Sequence, residues 1–193
     1  MKPKLIILES SPASGKSTIA KLIRENLPNT TLFDLGSIEN DTKTNSYFYH
    51  SSILSTVYDL RGTGSNFVFA RSFITNQVYY LMGKKDYDNT DNFGYFCDRL
   101  KILTLYYDIT IINLCCSRNE YEKRLEHRGK KCEYIKYNSD ESMKQQRVYM
   151  ELMDKIRDKE LGVNVVNLNN TGLKKEQTLE LIMKMIWGGR KNE

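Results

Sequence analysis

The residues most able to do chemistry stand at the start of the chain, in the ten-residue segment Glu9-Ser-Ser-Pro-Ala-Ser-Gly-Lys-Ser-Thr18. A phosphate-binding loop asks for a glycine, four free positions and then Gly-Lys-Ser/Thr. Gly15, Lys16 and Ser17 supply the second part, while Ser10 stands where the first glycine belongs. Backbone amides of Ser11, Ala13, Ser14, Gly15, Lys16, Ser17 and Thr18 would form a nest for phosphate, reinforced by the positive end of the following helix. The Lys16 ammonium can reach the terminal phosphates of a nucleotide, and the Ser17 hydroxyl is the candidate ligand for Mg²⁺. A short Ser-Gly-Lys-Ser-Thr string can also be an ordinary helix cap. Its context decides for phosphate, because it follows an apolar run and opens an amphipathic stretch.

Two more clusters follow. Phe67-Val-Phe-Ala-Arg-Ser-Phe73 ends an apolar run in Ala70-Arg71-Ser72, and Ser117 to Glu133 is rich in charge, with Arg124 and Arg128 four positions apart on one helical face. Cations at these places suit phosphate groups in transfer.

The elements that would carry these residues alternate. Lys4–Leu8 reads as a buried strand, and Lys16–Leu27 as a helix with Ile19, Ala20, Leu22, Ile23 and Leu27 at helical spacing, stopped by Pro28 and Asn29. Thr31–Leu35 is the second strand and 45–60 the second helix; Asn66–Ala70 is the third strand, followed by helical stretches at 72–82 and 92–107. Asp108–Leu114 and Val163–Leu168 are the remaining strands, with a long helix from near Asp140 and a final one over 174–187. The polar stretch 83–92 reads as an exposed loop. This rhythm predicts an α/β fold, three layers deep, in which a five-stranded parallel sheet carries helices on both faces and binds ligands at the carboxyl ends of its strands.

The chain has 193 residues, suited to one domain over 1–193 with a lid near 118–138. Its 29 basic and 24 acidic residues give a net charge of +5, enough to favour phosphate-bearing ligands and too little to imply nucleic acid. Cys97, Cys115, Cys116 and Cys132 show neither zinc-site spacing nor a disulfide framework. With no long apolar segment at the start, the expectation is a soluble cytoplasmic protein.

In this order and spacing, from residue 4 to about residue 133, the three clusters resemble the thymidylate kinase and deoxynucleoside kinase superfamily of P-loop kinases. The resemblance implies transfer of the γ-phosphoryl of Mg-ATP to a pyrimidine deoxynucleoside monophosphate. It gives Lys16, Arg71, Asp34, Arg124 and Arg128 as catalytic candidates and Arg71, Phe73, Gln77 and Tyr47 as acceptor contacts. Aromatic side chains there would stack on a base and an amide would read its edge; His50 and the Met143, Val148, Leu152, Met153, Ile156 set are expected to be structural. The alternatives are a deoxynucleoside kinase acting on a 5′-hydroxyl, a kinase acting on a DNA end or a modified base, and a nucleotide-binding protein without catalysis. A homodimer through the second and third helices is usual in the superfamily.

One position departs from the pattern. Where the superfamily carries aspartate before the strand-end arginine, this chain has Ala70. Three explanations stand side by side: loss of activity, an engineered substitution, or another carboxylate in the role, with Asp34 first and Glu9 second.

Overall fold

The computed structural model describes residues 2–36, 41–129 and 138–188. Its five strands are β1 (Lys4–Glu9), β2 (Thr30–Asp34), β3 (Asn66–Ala70), β4 (Asp108–Cys115) and β5 (Asn164–Asn169), all parallel, in the spatial order β2-β3-β1-β4-β5. The sheet is buried on both faces because the strands are apolar at both parities. Leu5 and Ile7 of β1 face one side with Phe67 and Phe69 of β3; Ile6 and Leu8 face the other with Val68 and Ala70.

Each face has its own helices. Helices α1 (Lys16–Asn26) and α7 (Lys175–Gly188) cover the second face through Ile19, Ala20, Ile23, Ile182 and Ile186. Helices α2 (Lys43–Asp59), α3 (Phe73–Leu81), α4 (Thr90–Leu103) and α6 (Ser139–Asp158) cover the first. The expected three-layer fold is the observed one, and no helix among the described residues is long and apolar enough to cross a membrane.

The strand order creates the site. The chain leaves β1 through α1 to one face and leaves β3 through α3 to the other, although β1 and β3 are neighbours in the sheet. Their two loops must part at the carboxyl ends, and the parting leaves a crevice. Glu9 and Ala70 end the two strands that flank it.

Candidate active site

The loop after β1 is held open by two left-handed residues, Ala13 (φ 65°) and Gly15 (φ 95°). A Cβ at position 15 would meet no neighbour within 4 Å, so glycine is required there by backbone conformation and not by space. Gly15 caps α1 without a side-chain hydrogen bond, which leaves the first amides of that helix available to an anion. The Ser14 carbonyl is turned away and accepts from Arg124 Nη1 (3.0 Å) and Asn170 Nδ2 (2.9 Å). The loop, with Arg71, Tyr79 and Arg124, encloses a hollow of about 380 Å³.

Lys16 is 9% exposed, and its Nζ donates to the Ser10 carbonyl at 3.2 Å. Burial holds its pKa down at about 8; Glu9 and Asp34 pull it upward and the Arg71 guanidinium pushes it further down. A phosphate entering the hollow would supply the negative charge that this ammonium lacks. Ser17 and Thr18 lie exposed on the first turn of α1 and line the same hollow.

Three positions bear on the missing aspartate. Ala70 is fully buried on the α1 side of the sheet. Glu9 is also fully buried, but its oxygens are already occupied: Ser72 Oγ donates to Oε1 (2.6 Å) and Thr75 Oγ1 to Oε2 (2.7 Å). Burial raises the Glu9 pKa, while Lys16, these two hydroxyls and Arg71 lower it. Its visible work is to fix the turn that carries Arg71. Asp34, at the end of β2 and paired in register with Ala70, is exposed and within electrostatic range of Lys16.

That Glu9 arrangement makes a first prediction. With its proton given to Glu9, Thr75 Oγ1 accepts from Tyr149 OH, 2.9 Å away. Thr75→Val keeps the shape and orphans both partners, so thermal or chemical denaturation should show a loss of about 1–3 kcal/mol. A loss below about 0.5 kcal/mol would mean that Glu9 is held by something else.

Arg71 follows β3 with φ 85°, a conformation that costs a side-chain-bearing residue about 1–3 kcal/mol. Its amide continues the sheet by donating to the Leu8 carbonyl (3.0 Å). It lines the phosphate hollow and also a second cavity of about 300 Å³ whose other polar walls include Asp41, His50, Asn76 and Lys85. His50 is buried; desolvation lowers its pKa to about 4, so it is neutral, and its Nε2 lies 3.1 Å from Asn76 Nδ2. Lys85 forms an ion pair with Asp41, which also accepts from Tyr87 OH (2.9 Å).

Other expected contacts sit elsewhere. Phe73 is buried in the core against the Phe93 and Phe96 rings, Gln77 accepts from Asn89 Nδ2 (3.0 Å), and Tyr47 packs among Phe48, Tyr95 and Phe96. None of the three lines the second cavity. On α3 the residues that do are Thr75, Asn76 and Tyr79, on the adjacent face of the helix. The stretch 83–92 is largely the exposed loop expected, but α4 begins within it at Thr90, the Lys85 side chain is only 7% exposed, and Asn89 and Asn92 are buried.

The charged segment after β4 forms helix α5 (Arg118–Gly129). Arg124 packs on the phosphate loop through Ser14, holds the Asn170 carbonyl (3.1 Å) and pairs with Glu120 (2.7 Å). The Arg128 side chain, Lys130, Lys131 and Cys132 lie outside the described residues. One turn before Arg124, the buried Tyr121 is hydrogen-bonded to Ser11 Oγ and donates to Gln146 Oε1 (2.9 Å), which also accepts from the Cys116 amide (2.8 Å). A third hollow, about 230 Å³, lies between Arg124, Asn170, Thr18 and Lys175. The largest hollow, about 500 Å³, is at the opposite, amino end of the strands around Lys4 and Trp187, away from every group described above.

Neither a protein-family model nor a curated protein matches the sequence. Solved structures do match. The YorR protein of Bacillus subtilis, in complex with phosphorylated GDP, superimposes with a TM-score of 0.67 at 18% identity, over 95% of each chain. Thymidylate kinase from Candida albicans gives 0.62 at 16% identity, over 96% of this chain and 91% of its own. Deoxyadenosine kinase from M. mycoides with bound dCTP gives 0.55 at 22% identity, over 94% and 97%. The chain has the P-loop nucleotide-kinase fold. In that fold the resemblance read from residues 4–133 extends over nearly the whole chain.

Sequence reasoning missed Tyr121, Gln146, Asn170, Asp41 and Lys85. Only Tyr121 left a usable trace, since it stands three positions before Arg124 and so shares its helical face.

Proposed function

We propose that the protein transfers the γ-phosphoryl group of Mg-ATP to the phosphate of a pyrimidine deoxynucleoside monophosphate. The observation that carries this reading is Arg71, which lines both the phosphate hollow and the second cavity and so can hold an anionic acceptor against an anionic donor. Among the described residues no carboxylate lines the phosphate hollow, and the one carboxylate of the second cavity, Asp41, is engaged by Lys85 and Tyr87. A hydroxyl acceptor needs a base at the junction. A phosphate acceptor does not, because its oxygen is already deprotonated near neutral pH, and positioning with charge neutralisation carries the rate. The likeness to thymidylate kinase supports a pyrimidine as the base.

In this reading the loop amides and Lys16 bind the donor phosphates, Arg71 aligns the acceptor, and Arg124 closes over the donor. The third hollow, beside Arg124 and Asn170, suits the donor base. Among the described residues no cluster of three or more His, Cys, Asp or Glu side chains could hold a metal by itself. That fits Mg²⁺, which takes few protein ligands and is held largely by nucleotide phosphates and water. Ser17, which lines the hollow, would supply the protein ligand. When bound, the ion offsets charge on the phosphates.

The test is ADP formation with Mg-ATP against nucleosides, nucleoside monophosphates and single-stranded DNA, run for this chain and for Ala70→Asp. Turnover with a pyrimidine deoxynucleoside monophosphate and none with the matching nucleoside is the expected result. Turnover confined to nucleosides would move the reaction to a 5′-hydroxyl with Asp34 as base. ATP binding with no transfer by either chain would leave a nucleotide-binding protein.

A further inference from the structure

Between the two cavities lies a throat of about 20 Å³ that shares Arg71, Thr75 and Tyr79 with the acceptor side and Ser10, Lys16 and Arg71 with the donor side. Two side chains that line it have polar atoms with no hydrogen-bond partner among the described residues: Ser10 Oγ, on a residue 2% exposed, and Gln145 Oε1, on a residue 1% exposed. A buried polar atom without a partner costs about 1–3 kcal/mol, so two on side chains that line one small void point to something that fills it. The volume admits one water-sized atom and no more.

Charge decides which atom. Lys16 and Arg71 both border the throat, and the Glu9 carboxylate behind it is fully engaged by Ser72 and Thr75. An anionic oxygen is therefore favoured over a neutral one or a cation. Toward such an oxygen a glutamine amide turns its N–H₂ group and a serine donates its hydroxyl, so both orphaned groups become donors.

We infer that the throat is a binding site for one oxygen of the phosphoryl group in transit, and that Gln145 is a catalytic residue with Ser10 as its partner donor. This rests on the transfer reaction proposed above. In that reaction an acceptor phosphate oxygen forms a bond to the γ-phosphorus, the bond from phosphorus to the β,γ-bridging oxygen breaks, and its electron pair leaves with ADP. No proton moves. Charge spreads over the three peripheral oxygens of the group in transit, and the throat receives one of them midway between donor and acceptor. Ser10 then gains a role that glycine, the pattern residue at that position, cannot fill.

The experiment compares the parent with Gln145→Leu, Gln145→Glu and Ser10→Gly by steady-state kinetics. Calorimetry adds the gain in ADP affinity produced by aluminium fluoride and Mg²⁺, a mimic of the phosphoryl group in transit. For both Gln145 variants kcat should fall about 100-fold, with the KM for ATP within about twofold and the aluminium fluoride gain largely lost. Ser10→Gly should show a smaller loss of the same kind. Gln145→Glu keeps the side-chain shape and brings a negative charge, so it decides the matter if Gln145→Leu does not fold. Retention of kcat by the Glu variant, or a fall in kcat with the aluminium fluoride gain intact, overturns the assignment and leaves a buried water in the throat. A parent chain that binds no ADP overturns the proposed function and this inference together; a parent that binds and transfers while the variants match it overturns the inference alone.

Discussion

Lys16→Met should reduce phosphoryl transfer by about 10²- to 10³-fold and also flatten the dependence of folding stability on pH above neutrality. The second effect follows from burial. In the folded chain the ammonium titrates at about 8, against 10.5 for an ordinary lysine. Below the lower value folded and unfolded chains both carry the proton. Between the two the unfolded chain retains a proton that the folded chain has released, so stability rises with pH, and above the upper value the gain is complete. The rise amounts to about 3 kcal/mol across that window. Urea denaturation at intervals from pH 7 to 11 would measure it in the parent, and the methionine variant should lack it. Nucleotide binding provides a second view. Phosphate oxygens beside Nζ favour the ammonium, so ATP should take up a proton when it binds near pH 8, visible as a binding enthalpy that changes with the ionisation enthalpy of the buffer. A parent with the same pH profile as Lys16→Met would show that the lysine is hydrated and not desolvated.

Arg71→Gly should separate stability from activity more sharply than any other substitution in this site. Glycine adopts φ 85° freely, which relieves about 1–2 kcal/mol of backbone strain, but it also gives the unfolded chain more freedom, worth about 0.5–1 kcal/mol in the other direction. Stability should therefore stay within about 1 kcal/mol of the parent. Transfer should fall at least about 10³-fold, since the guanidinium borders donor, acceptor and throat at once. Arg71→Lys would keep the charge and lose the planar fork, and should recover only part of the rate. Loss of the guanidinium also removes a repulsion that lowers the Lys16 pKa, so the pH window described above should begin higher in this variant. A variant with near-parental kcat would take Arg71 out of the reaction.

The phosphate loop could be read from sequence because short-range requirements determine it: an apolar strand, a left-handed glycine, a lysine, and a helix whose first turn lacks a cap. The third strand was legible with its observed bounds, Asn66–Ala70, since its apolar run is closed by Ser65 and Arg71. The second cavity was not. Its polar walls come from residue 41, from α2, from α3 and from residue 85, and only tertiary packing brings these together. On α3 the helix was foreseen and its face was not. Phe73 and Gln77 are a helical pair and so are Thr75 and Tyr79, and the sequence around them does not say which pair the next helix will cover. Helix α6 misled in another way. Its apolar face was read from Met143, Val148, Leu152, Met153 and Ile156, but its first two turns bury Ser142, Gln145 and Gln146 instead. A search for apolar periodicity passes over buried polar residues, and here Gln145 lines the throat with Ser10 while Gln146 holds Tyr121 and the Cys116 amide.

The Ser14 carbonyl, which accepts two hydrogen bonds, has a consequence for helix α5. Two donors reach it, Arg124 from α5 and Asn170 from the end of β5. Either can depart without orphaning the carbonyl. Leaving would also take Arg124 from the Asn170 carbonyl, Asn170 Oδ1 and Glu120, so the exchange needs a nucleotide phosphate that offers the guanidinium charge-assisted contacts in return. The arginine is thus stored beside its target, and Asn170 can hold the Ser14 carbonyl while it is away. Under the proposed function, binding of a nucleotide phosphate and the shift of Arg124 would then be one exchange of partners, with the Ser14 carbonyl left satisfied throughout.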